Sequence, residues 1–550
     1  MIDSSISDTP WRRMSFLLHD SVLMQAERSA AVPALRHRDG VEDYATLAAS
    51  IERAASRLLD CGLERQERVA VYLDKRPETV HALFGAARAG GVFVPVNPLL
   101  KAEQVAHILR DCNVRILVTS ADRLAALRAA LAGCPDLHTV LVVGQEPSQD
   151  SGQDSGDAGG GHVRVDAWDA EPDRDGLSGH RVIDTDMAAI LYTSGSTGRP
   201  KGVVLSHRNM VAGAQSVSTY LDNRSEDRIL AVLPFSFDYG LSQLTTAFRI
   251  GAEAVLLNYL LPRDVIRAVE RDGITGLAAV PPLWIQLARL EWPEAARASL
   301  RYITNSGGAM PKETLAALRE QLPRTDCYLM YGLTEAFRST YLPPAELDKR
   351  AGSMGRAIPN AEIQVVREDG SPCAPGEPGE LVHRGALVAM GYWNDPERTA
   401  ERFRPAPGQP PGVPLTEMAV WSGDTVRMDA DGFLYFVGRR DEMIKTSGYR
   451  VSPNEVEEAV YATGLVAEAA ALGVEHPGLG QAIVLVALPQ APGLRADDLI
   501  DALRPHLPGF MLPAHVGLCT EPLPRNANGK IDRKALASEF GDLFREGVPA

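Results

Sequence analysis

The chain has 550 residues, with 71 acidic side chains against 56 Lys and Arg and a formal net charge of −15. That length exceeds what one hydrophobic core holds, so two or more domains are expected. The acidic balance argues against a protein that coats nucleic acid, which needs clustered Lys and Arg, but leaves room for a local basic pocket that takes one nucleotide.

Residues 45–59 have the spacing of an amphipathic helix, and 68–73 (RVAVYL) that of a strand. Helix 79–89, strand 91–96, helix 104–111 and strands 114–119 and 139–143 continue the cycle, as a mostly parallel α/β sheet requires. Residues 148–162 (SQDSGQDSGDAGGGH) are polar and low in complexity, the composition of a mobile surface loop. Strands 228–233, 252–257, 276–280 and 302–304 resume the alternation. Around 362–366 and 379–384 the texture turns to strand and turn, a small β subdomain, and 405–414 (PAPGQPPGVP) is a Pro/Gly-rich loop. Ser452, Pro453 and Glu455 make a helix start. The stretch beyond about residue 439 is a compact unit of ~110 residues, a size that folds alone. The expected architecture is a large α/β N-terminal domain (1–438) of sheet subdomains plus a small β subdomain, followed by a small mobile α+β C-terminal domain (439–550).

The six cysteines are scattered with no CxxC pair, which argues against a disulfide framework or zinc site and fits a reducing cytoplasm. The only apolar stretch near the N-terminus is Phe16-Leu17-Leu18, too short for a signal peptide. No run of 18 apolar residues occurs, so no membrane span is expected.

Residues 190–202 (ILYTSGSTGRPKG) run from a buried apolar strand into Thr193, Ser194, Gly195, Ser196, Thr197 and Gly198, then Lys201. Glycines allow close backbone approach, hydroxyls and bare N–H groups supply donors, and the lysine adds charge, so the segment suits a phosphate. It does not fit the common Gly-x4-Gly-Lys-Ser/Thr loop in any register. Ser206 is placed to cap a following helix. The ordinary alternative is a flexible Gly/Ser hairpin.

Residues 331–335 (YGLTE) follow another apolar run, at the carboxyl end of a strand where α/β folds bind ligands. Tyr331 offers a face for a purine, Thr334 a hydroxyl for phosphate, and Glu335 a hard oxygen for magnesium. The alternative is a strand–turn–helix with Thr334 as cap. Asp424, after Gly423, could accept from a ribose diol, and Arg439 supplies a guanidinium near the domain boundary, but a Gly-Asp turn is common. Lys445 and Arg450 flank Gly448, and Lys530 follows Asn528-Gly529, which alone reads as a tight hairpin.

These five segments, with 90–98 (GGVFVPVNP) and 307–311 (GGAMP), occur in the order and spacing of the adenylate-forming superfamily, which includes acyl-CoA synthetases, non-ribosomal adenylation domains and luciferases. The chain resembles that superfamily over roughly residues 15–540. The resemblance implies ATP, Mg²⁺ and a thiol as reactants. It implies that residues 193–201 close over the β- and γ-phosphates and that Gly308 and Ala309 lie beside adenine. Tyr331, next to Gly332, would stack on adenine, Thr334 would touch the α-phosphate, Glu335 would hold Mg²⁺, and Asp424 and Arg439 would bind ribose. Lys530 would bridge the substrate carboxylate and the α-phosphate. Asp441 matches the hinge about which the small domain turns, bringing the segment of Lys445, Gly448 and Arg450 over a thiol tunnel. Glu335, Thr193, Lys201 and Lys530 are the catalytic candidates.

The acid is addressed by residues 233–244 (LPFSFDYGLSQL). Many fatty and aryl acyl-CoA ligases carry a histidine there. Phe237-Asp238 instead looks like the amino-acid-activating branch, in which the aspartate pairs with the α-ammonium, while Tyr239-Gly240-Leu241 looks like an acyl-CoA ligase. Asp238 as a helix cap is the structural alternative. Phe237, Asp238, Trp284, Asn305, Ser306 and Gly307 are expected to line the acyl site. Residues 280–288 (VPPLWIQLA), 331–344 (YGLTEAFRSTYLPP) and 382–393 (VHRGALVAMGYW) resemble more narrowly the AMP-forming acyl-CoA ligases associated with bacterial exosortase A systems. The reading is an AMP-forming acyl-CoA ligase acting on a small-molecule carboxylate. The alternative is an amino-acid-activating enzyme that loads the phosphopantetheine of a carrier protein.

Overall fold

The computed structural model describes residues 15–38, 40–144, 163–171, 179–193, 200–439, 443–446, 449–476, 479–526 and 529–544. The low-complexity stretch 148–162 and the hinge candidate Asp441 lie outside them.

Among the described residues the strands form sheets of 14, 8 and 5. In the 8-stranded sheet, Arg68–Tyr72 pairs in parallel with Val92–Pro95 and Val114–Ser120, and the latter with Thr139–Val143. Every residue of Thr139–Val143 is buried, the apolar run expected of a parallel strand covered on both faces. The crossover helix Pro77–Ala89 starts on a proline and ends at Gly90, whose φ of 89° is a left-handed cap. Helix Tyr44–Asp60 packs against it so closely that a Cβ on Gly85 would stand 2.6 Å from the Cβ of Ala54.

The 14-stranded sheet has a parallel half built on Arg228–Ala231, Glu253–Leu256, Gly276–Ala279, Tyr302–Asn305 and Asp326–Tyr331. It continues antiparallel through Thr340–Leu342 and Ser353–Ala357 into Leu434–Arg439, Met418–Met428, Pro378–Gly385 and Ala361–Val366. The expected β subdomain is thus hydrogen-bonded to the parallel half as one continuous sheet. One apolar core joins residues from both large sheets, from Leu18 to Phe433.

The 5-stranded sheet comprises Ile444–Thr446, Tyr449–Val451, Val466–His476, Gly480–Pro489 and His515–Leu518. Its two faces are covered by apolar clusters of its own residues, one around Val456, Leu485 and Leu499 and one around Val484, Leu523 and Leu536. The fold is therefore α/β, with a large N-terminal domain and a small C-terminal domain that carries its own core. No helix among the described residues is long and apolar enough to cross a membrane.

Candidate active site

Strand Met187–Thr193 turns back antiparallel onto Lys201–Ser206, with Thr193 opposite Lys201. Ser194, Gly195, Ser196, Thr197 and Gly198 lie outside the described residues. The Oγ1 of Thr193 is buried and has no hydrogen-bond partner among the described residues. Ser206 caps helix His207–Tyr220 by accepting from the Asn209 N–H, as its position in the sequence implies.

Lys201 leads across to the YGLTE turn. Its Nζ donates to the Tyr392 hydroxyl at 2.6 Å and lies 3.2 Å from Glu335 Oε1, to which Tyr392 also donates at 2.5 Å. Burial pushes the Glu335 carboxyl up, but Lys201, Tyr392 and Arg402 outweigh it and hold the group below its ordinary value. Lys201 is lowered, first by burial and then by Arg402 and Arg398, against the pull of Glu335. The causes differ: neighbouring cations hold Glu335 down, whereas burial comes first at Lys201, with Arg402 and Arg398 adding to it, and a polyphosphate would face those cations here. Glu335, ionised and oxygen-bearing, is of the chemical type that could hold Mg²⁺.

The Tyr331 hydroxyl donates to Asp424 Oδ2, and Asp424 Oδ1 lies 3.2 Å from Arg439 Nε. The last pair follows from strand register, since Asp424 and Arg439 face each other across Met418–Met428 and Leu434–Arg439. Burial and the neighbouring Asp424 charge raise the Tyr331 phenol well above its ordinary value. A neutral ring is thus held by its hydroxyl. Gly332 lies close under the following chain: a Cβ there would stand 3.2 Å from the Arg338 Cα, so that backbone would have to give by a few tenths of an ångström.

On the acyl side, Asn305 and Ser306 are buried at the end of strand Tyr302–Asn305, and Asn305 Nδ2 donates to Gly308 O at 3.0 Å. Gly307 turns the chain with φ 82°, and Gly308 and Ala309 are exposed beyond it. Asp238 is the first residue of helix Asp238–Ile250, whose N-cap is Phe237 with no side-chain cap bond. The helix-cap expectation is therefore corrected. One oxygen of Asp238 accepts from Arg338 Nη1 at 2.8 Å and the other from Thr334 Oγ1 at 3.2 Å, in a pair whose side chains are 2% and 4% exposed. Its charge already has a cation, because a buried carboxylate needs one. Trp284 is wholly buried, donating from Nε1 to the carbonyls of Ala279 and Thr304. It braces two strand ends from behind and presents no surface to the site.

Lys530 comes from the C-terminal domain, in a turn closed by Asn526 N–H to Lys530 O at 2.8 Å. A Cβ built on Gly307 would stand 3.5 Å from Lys530 Cε and 3.6 Å from Phe237 Cζ. The lysine side chain therefore reaches the mouth of the acyl side. Arg289 Nη2 donating to Gln490 Oε1 at 3.0 Å is a further bridge between the domains. The backbone places Lys445 opposite Arg450 in the pair Ile444–Thr446 and Tyr449–Val451. Gly448 lies outside the described residues.

Sequence reasoning missed three residues here. Tyr392 bridges Lys201 and Glu335, Arg402 adds charge to them, and Arg338 pairs with Asp238. For Arg338 a signal existed: an arginine three residues after Glu335, between Phe337 and Ser339, has to find a partner if buried.

Comparisons with known proteins bear on the family and the fold. The family described as AMP-binding enzyme matches residues 23–393, and the AMP-binding enzyme C-terminal domain matches 455–530. A long-chain-fatty-acid–CoA ligase of Salmonella typhimurium is 31% identical over 501 residues, 87% of this chain and 86% of the relative. A linear gramicidin synthase of Brevibacillus parabrevis is 30% identical over 531 residues, 96% of this chain but 10% of the relative, so the chain spans only a tenth of that protein. The crystal structure of ATP-bound MatB from Rhodopseudomonas palustris superposes with a TM-score of 0.83 at 24% identity, covering 97% of this chain and all of the other. At that identity the likeness concerns the fold.

Proposed function

The chain belongs to the AMP-binding enzyme family, and we propose that within it the chain is an AMP-forming acid–thiol ligase, best described as an acyl-CoA ligase. The observation that carries the reading is the reach of Lys530 to Gly307 and Phe237, which sets a cation from one domain against the acyl side of the other.

In the first half-reaction a carboxylate oxygen attacks the α-phosphorus of ATP, the bond to pyrophosphate breaks, and acyl-AMP forms. Tyr331 gives adenine a ring face fixed through Asp424, and Asp424 and Arg439 hold the ribose hydroxyls. Thr193, the adjoining 194–198 segment and Lys201 grip the β- and γ-phosphates, and Thr334 meets the α-phosphate. Glu335 would hold Mg²⁺, which supplies charge neutralisation at the leaving pyrophosphate. Lys530 stabilises the negative charge where carboxylate and phosphate meet, a positional and electrostatic role. In the second half-reaction the small domain turns near Asp441, Lys530 withdraws, and the segment of Lys445, Gly448 and Arg450 comes over the site. The thiol sulfur of CoA then attacks the acyl carbon and the bond to AMP breaks. A cytoplasmic setting goes with this reading, supported by the scattered cysteines.

The Asp238–Arg338 pair weighs against amino-acid activation, because the aspartate that would meet an α-ammonium already faces a guanidinium. Carboxylate-dependent ATP–pyrophosphate exchange tests both readings. Exchange with acids that lack an amino group, followed by acyl-CoA formation, is expected. Exchange confined to amino acids, or acyl transfer only to a carrier-protein phosphopantetheine, would overturn the assignment.

A further inference from the structure

Arg338 is one of the largest wholly buried side chains, and only part of it is satisfied. Nη1 serves Asp238 at 2.8 Å and the Phe337 carbonyl at 2.9 Å. Nε and Nη2, the other edge of the planar fork, are buried with no partner among the described residues. The guanidinium lies 4.6 Å from the Tyr239 ring centroid. That edge presents two parallel N–H groups, one on Nε and one on Nη2, in the arrangement that matches an oxygen acceptor, and leaving them unpaired is costly. The link from the fork to the reacting end runs through Asp238, which also accepts from Thr334. Asp238 follows Phe237, and Phe237 and Lys530 both close on Gly307.

Resting on the ligase reading, we propose that the acid activated here carries an uncharged acceptor oxygen, a hydroxyl or oxo group, on its acyl part, and that the Nε/Nη2 edge of Arg338 binds it. The charges select among the alternatives. An ammonium would face a guanidinium whose counter-ion is already engaged. A second carboxylate would add an uncompensated charge to a pair that is already neutral. A plain alkyl or aryl group would bury these N–H groups against carbon. A neutral oxygen satisfies the donors and leaves the charge balance as it is.

The test uses the full chain in pyrophosphate exchange, with size-matched pairs of acids that differ only by a hydroxyl or oxo group, plus dicarboxylic and amino acids of similar length. The wild type is expected to favour the best oxygenated acid over its plain partner by about 10²-fold or more in kcat/KM. Arg338→Met combined with Asp238→Asn removes both charges together, so neither is left buried alone. In that variant the ratio should fall towards one, chiefly through a higher KM for the oxygenated acid. Plain acids used as well as oxygenated ones, a preference for dicarboxylic acids, or a ratio that survives in the folded double variant would overturn the proposal and leave the ligase reading standing. Exchange with amino acids alone, or with no acid, would remove that reading and this inference with it. If the double variant does not fold, the wild-type ratio decides.

Discussion

At Glu335 burial and charge pull in opposite directions, and the charge wins. A carboxyl held below its ordinary value of 4.5 in the folded chain contributes its full stabilisation above that value and loses it as pH falls through the lower, folded one. The stability advantage of wild type over Glu335→Gln, read from urea unfolding, should therefore shrink as pH is lowered from 5 towards and below the folded value. An advantage that grows with acidity would contradict the geometry. Activity should respond more strongly: Glu335→Gln is expected to lower exchange by on the order of 10²-fold, partly recovered by raised Mg²⁺. Glu335, Lys201, Asp424 and Arg439 were legible in the sequence because each sits in a short segment whose residue types match a phosphate, metal or ribose. Tyr392 was not, since nothing local says that a tyrosine after Gly391 will meet a lysine 191 positions earlier. Asp238 shows the limit from the other side. Its charge was legible, but its cation, 100 positions away, was not.

Helix Asp238–Ile250 aims Asp238, and its own position is set by a glycine. A Cβ on Gly240 would stand 2.1 Å from the Pro234 carbonyl oxygen, so Gly240→Ala must push the helix off the 234–237 turn. We expect a loss of about 1–3 kcal/mol in urea unfolding and a raised KM for the acid, because Phe237 and Asp238 move with the helix. An unchanged melt would mean that the turn yields. Lys75 lies in the connection between Arg68–Tyr72 and Pro77–Ala89, and its Nζ donates to the Val232 carbonyl at 3.0 Å. Burial lowers it from 10.5 to about 8, with Asp74 opposing. Between those values the unfolded chain binds the extra proton, so stability should rise with pH from about 8 to 10.5, by roughly 3 kcal/mol at most. The difference between wild type and Lys75→Met should change over that window and be flat below it. Element types were the most legible part of the fold: strand 139–143 is found as Thr139–Val143, and helix 45–59 as Tyr44–Asp60. Apolar periodicity marks such elements locally. Joining the β subdomain to the parallel sheet depends on strand pairing between distant residues, which periodicity does not encode.

The whole molecule poses one question that neither domain answers alone. Lys530 sits in a small domain with its own apolar clusters, yet its side chain touches the space beside Gly307 of the large one. In the proposed reaction a group held at that point would stabilise charge while the carboxylate attacks phosphorus, but it would stand in the way of a thiol approaching the same carbonyl. The proposed turn about Asp441 resolves the conflict by separating the steps in time. Lys530→Ala should therefore abolish adenylate formation, seen as loss of pyrophosphate exchange, and largely spare acyl transfer from a supplied acyl-AMP to CoA. A structural role for the lysine predicts something different, since a variant that loosens the domain contact would slow both steps. Equal loss of exchange and transfer would thus rule out the division of labour. Retained transfer with no exchange would mean that the lysine serves only the orientation described here, and that a second orientation completes the reaction without it.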